Sequence, residues 1–248
     1  MGIKKTHGFT IIEVMLFLAV TGALTIAILA GAGIQINQQR YRDSVSSLKS
    51  FLQAQYSEVT NVINDRDNNW RCNADGTVEQ VANGGQPRGT TDCVILGRLV
   101  TVDATGMQLT ASNVVGYKAP NAPDATSDIA ELENYAMAAS TINQETDEVS
   151  WGARIVNSQN LANPQSMAML IVRSPLSGAV LTFTTEATPQ NVGDMIDARN
   201  MQQRDLCVDP SVGSLVGQRL AVRIAAFASN QSAIETPAAS GEGAPCQG

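Results

Sequence analysis

Glu13 is a carboxylate standing where a charge is expensive. It opens the run Val14 to Ile34, which holds no charged residue. A carboxylate inside a hydrocarbon layer costs about 2.5–3.5 kcal/mol or more, so an acid at the edge of such a run is a functional candidate. It also fits a helix start, since an acid in the first turn lies near the positive end of the helix dipole. The other reactive groups are four cysteines, Cys72, Cys93, Cys207 and Cys246. None belongs to a Cys-x-x-Cys pair and the only histidine is His7, so no zinc site is expected. Asp65-Arg66-Asp67-Asn68-Asn69 has the acid spacing of a calcium loop but lacks its glycine and closing glutamate. A solvated turn is expected there, and another at Asp75-Gly76. No P-loop or dinucleotide fingerprint occurs. Acids are abundant, yet nothing singles out two of them as a general acid and base. No catalytic residue, metal or cofactor is therefore expected.

The apolar run is long enough to cross a bilayer as a helix, which takes about 20 residues. Lys4 and Lys5 precede it, so the positive-inside bias holds the N-terminus in the cytoplasm and sends the rest outward. An ordinary secretory signal would have a shorter apolar core followed by small residues, whereas Thr21-Gly22-Ala23 lies inside this run. Beyond Ile34 the sequence turns amphipathic without a proline break. Tyr41, Val45, Leu48, Leu52, Val59 and Val62 recur at helical spacing on one face, with Gln38, Arg42, Asp43, Lys49, Gln53 and Asn61 on the others. The helix is expected to reach about Ile63, before the turn-forming Asn64 to Asn69. From Phe9 that is about 80 Å at 1.5 Å per residue.

The leader with Lys4 and Lys5, then Gly8, Phe9, an acid at Glu13 and an apolar helix together resemble the class III signal of type IV pilins and type II secretion pseudopilins. The likeness covers about the first thirty residues. In that family a membrane-embedded prepilin peptidase cuts after the glycine and methylates the new amine. The resemblance implies cleavage between Gly8 and Phe9, N-methylation of Phe9, and a role for Glu13 in filament assembly, meeting the Phe9 amine of a neighbouring subunit. It implies as partners the peptidase, other pilin subunits, an inner-membrane assembly platform and the membrane itself. It also implies a single-pass cytoplasmic-membrane protein that later enters an extracellular or periplasmic filament. A cut after Gly8 leaves 240 residues, longer than many major pilins, which leans towards a minor pilin. Many major pilins carry a proline in the apolar helix; this chain has Gly22, Gly31 and Gly33 there instead. They fit either close helix packing in the membrane or the family's local melting in a filament.

The expected organisation is a leader (1–8), an apolar transmembrane and assembly helix (9–35), an amphipathic spine (36–64), a β-rich extracytoplasmic head (65–236) and a C-terminal tail (237–248). The fold class is α+β, a long helix packed on a mainly antiparallel head. Aromatics make up only 4% of residues, so its core must come mainly from Ile, Val, Leu, Met and Ala. Strands are expected over Cys93–Val102, Met107–Thr110, Asn113–Tyr117, Val149–Val156, Met167–Arg173, Ala179–Thr184 and Arg219–Ala228. Helices are expected over Ile129–Ala139 and Asp194–Gln203, with a loop from Pro120 to Ser127. The strand containing Ile95-Leu96-Gly97-Arg98 is faintly similar to the all-β heads of the H-class pseudopilins. Trp70 and Trp151 are expected as core or helix-capping residues, with a surface adhesive role as the lesser alternative, since tryptophan is enriched at interfaces.

An exported head permits disulfides. Four cysteines allow three pairings; Cys72–Cys93 with Cys207–Cys246 is expected because each closes a local loop, worth about 2–4 kcal/mol apiece. Without the leader the chain has 14 basic and 23 acidic residues, a net charge of −9. That argues against nucleic acid as the main partner, because phosphate binding draws on clustered Lys and Arg. It also contains no histidine, which excludes Ser-His-Asp and Cys-His machinery, so enzyme activity is not expected. A structural filament subunit is the leading function. A filament-mounted binding module, an adhesin or DNA-uptake tip, is the alternative, and an exported enzyme with a retained anchor a distant third. A free basic cluster of Arg154, Arg219 and Arg223 would favour nucleic-acid capture.

Overall fold

The computed structural model describes residues 10–62, 67–210, 219–239 and 245–246. One helix, α1 (Ile11–Thr60), runs without a break through both the apolar and the amphipathic stretch. Thr10 caps its start in an extended conformation, its hydroxyl accepting the Glu13 N–H at 3.3 Å. At the other end the Asn61 N–H returns to the Ser57 carbonyl. The expected end at Ile63 is thus shortened to Thr60, and Ile63 itself lies outside the described residues. Thr60 hastens the stop by turning its hydroxyl back onto the Tyr56 and Ser57 carbonyls.

The described strands form three antiparallel sheets, so the fold is α+β. A small hairpin joins β1 (Trp70–Cys72) to β2 (Val78–Gln80). The main sheet contains β3 (Cys93–Val102), β4 (Gln108–Lys118), β5 (Tyr135–Ala139), β6 (Glu145–Glu148), β8 (Met167–Arg173) and β9 (Val180–Thr185), in the order β5-β4-β3-β8-β9 with β6 also on β4. A four-stranded sheet is ordered β12-β11-β10-β7, from β7 (Arg154–Val156), β10 (Arg204–Asp209), β11 (Leu220–Ile224) and β12 (Ile234–Glu235).

The second half of α1 lies between the two larger sheets. Tyr41, Val45, Leu48, Leu52 and Val59 are buried, joined by Phe51 and Tyr56. Val62, at the end of the expected stripe, is past the helix and exposed. The stripe packs on Val100, Val102, Leu109, Met167, Met169 and Ile171 of the main sheet, and on Leu206, Val208, Val222 and Ile224 of the smaller one. The main sheet is buried on its other face too, where Leu99, Val114, Leu170 and Phe183 meet Leu132, Met195, Ile196 and Met201. Covering both faces explains why Met167 to Val172 is a continuous apolar run, not an alternating one.

Several expected elements take another form. Only Asp128–Glu133 of the expected helix 129–139 is helical (α2); Tyr135–Ala139 leaves it to pair with β4, where Met137 reaches the core. Tertiary pairing outweighs a helical preference over so few residues. The expected strand 149–156 is cut to Arg154–Val156 because Trp151 and Gly152 take left-handed backbone conformations, φ 61° and 68°, within a 3₁₀ turn. In place of a helix over 194–203 there are two 3₁₀ turns, Val192–Met195 and Ala198–Asn200. Asp197 restarts the chain between them by capping the Arg199 N–H at 2.8 Å. Asn113–Tyr117 is not a separate strand but the end of β4. The register of β3 against β4 shifts between Ile95 and Gly97, a β-bulge. A Cβ on Gly97 would run into the Ile171 carbonyl of β8, so that close approach needs glycine.

Candidate functional site: the uncovered half of the helix

From Thr10 to Arg40, every described side chain of α1 is exposed apart from Thr21, which is half-buried. None of its most apolar window is covered by the rest of the chain, and Ile11, Phe17, Leu18, Ile26, Ile28 and Leu29 all face outward. By length and composition this helix could cross a membrane. Its polar groups are already satisfied. The only hydroxyls between Val14 and Ile34 are those of Thr21 and Thr25; Thr21 donates to the Phe17 carbonyl at 2.8 Å and Thr25 to the Thr21 carbonyl at 2.8 Å. This segment therefore needs no outside hydrogen-bond partner along its length, as an apolar surrounding demands. The helix passes straight through Gly22, Gly31 and Gly33, and a side chain at any of them would meet nothing within 4 Å. Their small size serves no contact within the described residues.

Glu13 occupies the third helical position after Thr10. The Thr-x-x-Glu spacing is that of a capping box, a start signal legible in the sequence beside the dipole argument. Half of the box is formed, by the Thr10 hydroxyl. The exposed Glu13 carboxylate pairs with nothing among the described residues. Gly8 and Phe9, the expected processing and methylation positions, lie outside the described residues, as does His7.

The covered half is fastened by polar contacts as well as by its stripe. The Tyr41 hydroxyl donates to the Val208 carbonyl at 2.7 Å and accepts the Leu220 N–H at 2.6 Å, bridging β10 and β11. Tyr56 shares a 2.9 Å hydrogen bond with Thr182 of β9, and burial pushes its phenol up to about 12. Arg98 was not singled out by sequence and is the most elaborate tie. Its buried guanidinium donates to Gln55 of α1 at 2.9 Å, to Asn113 at 3.1 Å and to Glu145 at 3.3 Å. Burial lowers its pKa, opposed by the negative charge of Glu145 and Glu58. A lone arginine in a strand gives no sign of burial in sequence.

The cysteines pair as Cys72–Cys93 and Cys207–Cys246. The first links β1 to the start of β3, and the second holds Cys246 against Val156 and Leu161. The three arginines that might have formed a basic cluster are each matched to an acid. Arg154 and Arg219 both reach Asp209, at 3.4 and 2.9 Å, and Arg223 grips Asp205 at 2.7 and 3.1 Å. Both acids stand on β10, in cross-strand register with Arg154 and Arg223. Among the described residues no group of three or more His, Cys, Asp or Glu could hold a metal ion. Asp65 and Arg66 of the calcium-like stretch lie outside them. Trp70 is half-buried in β1, but Trp151 is not a core residue: it is 57% exposed, with the Arg40 guanidinium 5.0 Å from its ring centre. No family model, curated protein or solved structure matches this chain.

Proposed function

We propose that this chain is a structural subunit of a type IV pilus-like filament, a minor pilin or pseudopilin, and not an enzyme. A prepilin peptidase cuts between Gly8 and Phe9 and methylates the Phe9 amine. The first half of α1 spans the cytoplasmic membrane until an assembly platform transfers the subunit into a filament outside, or in the periplasm. There the same helix packs among those of other subunits.

The observation that carries this reading is the division of α1, core in its second half and bare apolar surface in its first. An exposed apolar surface of that size calls for a lipid or protein partner. A helix whose hydroxyls are internally satisfied can exchange one for the other without losing hydrogen bonds. Glu13 then works through charge. Its carboxylate and an incoming Phe9 amine are each costly alone in an apolar bundle, and a close pair offsets much of that cost. The pair sets the register between neighbours more than it adds stability. The matched arginines of the small sheet favour a plain subunit over a nucleic-acid-capturing tip.

The test is the amount of this subunit in sheared filaments relative to the membrane. Glu13→Ala should be cleaved and inserted normally but be depleted from filaments, with Glu13→Asp intermediate. Wild-type incorporation of Glu13→Ala would reduce the acid to a helix-start residue.

A further inference from the structure

Trp151 is an aromatic side chain in an unusual position. Its backbone is left-handed, at φ 61° and ψ 25°, which is uncommon and strained for any bulky residue. The turn holds that conformation without burying the ring, which stays 57% exposed beside Arg40. A cleft under the ring is lined by Asn37, Tyr41, Ser44 and Pro210 as well as by Trp151 and Arg40. The buried Ser44 hydroxyl on its wall has no partner among the described residues. Trp151 thus stands beside Arg40, where α1 enters the head.

The spacing along α1 fixes what faces this surface. Val14 to Ile36 rises about 33 Å, enough for a hydrocarbon core of about 30 Å. Arg40 is four residues further, about 6 Å, within the headgroup zone of about 5–7 Å on each side. Between Ile36 and Arg40 stand only Asn37, Gln38 and Gln39; the charged residues of α1 at this level are Arg40, Arg42 and Asp43, and the head adds the Arg219–Asp209 pair beside Tyr41. Tryptophan favours that boundary because its ring is apolar and its N–H is wet, and arginine beside it can reach lipid phosphate.

We infer that the underside of the head, Trp151 with Arg40, is a lipid-surface contact that rests in the headgroup layer while the subunit waits in the membrane. The inference relies on α1 spanning a bilayer, as proposed above. It adds that the head meets the lipid surface through this ring.

Trp70 provides an internal control. It neighbours the cleft at Glu58 and Val62, sharing Ile95, Asn113 and Asn143 as wall residues, and Glu58 is about 27 Å along α1 from Arg40. The full chain would be placed in vesicles of phosphatidylcholine and phosphatidylglycerol carrying headgroup-level spin-labelled lipid. Fluorescence would be read for Trp70→Phe, which keeps Trp151, and for Trp151→Phe, which keeps Trp70. If Trp70→Phe does not fold, the wild-type signal minus that of Trp151→Phe isolates Trp151. The expected result is loss of most Trp151 emission to the quencher with Trp70 unaffected, in protein that resists alkaline carbonate extraction. Resistance to extraction with unquenched Trp151 overturns the contact and leaves the spanning helix intact. Equal quenching of both rings also overturns it, because the head would then be lying on its side. Extraction by carbonate removes the spanning helix, and the contact with it.

Discussion

Leu18 and Leu52 sit on one continuous helix, the first 62% exposed and the second fully buried. Their local conformation is the same and their surroundings are opposite. Around Leu18 the apolar residues go all the way round the helix; around Leu52 they keep to one stripe, with Gln53 and Lys49 on other faces. The stripe matches a partner inside the chain, the two sheets. The all-round apolar surface matches none there and fits a surrounding that is apolar on every side. Polar chemistry follows the same division. Thr21 and Thr25 close on their own helix, while Gln55, Tyr41 and Tyr56 reach outward to Arg98, Val208 and Thr182.

The sharpest way to break this comparison is to truncate both leucines. Leu52→Ala should cost the head about 2–5 kcal/mol, the usual range for a buried leucine whose cavity cannot close. Leu18→Ala should leave unfolding of the head unchanged. Denaturant unfolding of the full chain in detergent measures both. A comparable loss at Leu18 would mean that the first half is part of the core after all.

A smaller effect is expected at Arg98. Arg98→Ala strands Gln55 and Asn113 and should cost about 1–3 kcal/mol. Arg199→Ala, at a side chain that is mostly exposed, should cost close to nothing. Equal losses in the same unfolding measurement would remove Arg98 as the tie between spine and sheet.

The effect confined to alkaline pH concerns Tyr56 of the covered half. Tyr56 is held up at about 12 by burial, partly countered by its bond to Thr182, against about 10 in an unfolded chain. Between those values the folded chain keeps a proton that the unfolded chain has lost. The stabilisation is therefore complete below pH 10 and disappears as pH rises towards 12. An absorbance titration should show a late phenolate step that Tyr56→Phe removes, with the alkaline loss of stability reduced in parallel.

Legibility in the sequence follows the same division. The long helix, its buried stripe and the β3, β8 and β9 strands could be read because their periodicity or apolar content is strong. The 149–156 and 194–203 segments could not, because left-handed residues at Trp151 and Gly152 and a cap at Asp197 interrupt patterns that look regular in composition. Strand β10 was missed because Arg204-Asp205-Leu206-Cys207-Val208-Asp209 is charged at both ends. Those charges meet arginines on β7 and β11 that only the sheet brings near. Trp151 was expected in the core or capping the helix; it lies beside Arg40 of α1 but exposed, through a backbone conformation with no sequence signature beyond the glycine after it. The Thr10 cap was legible in the Thr10-x-x-Glu13 spacing, whereas any role of the Glu13 carboxylate in pairing depends on a second molecule.

The central claim, that the bare half of α1 is kept and used after the leader is removed, is tested most directly by N-terminal mass spectrometry of membrane-extracted protein. The expected chain begins at N-methylated Phe9 and retains Thr10 to Arg40, and Gly8→Val accumulates as the uncut precursor. An intact Met1, or a new N-terminus near Ala23, would contradict the account.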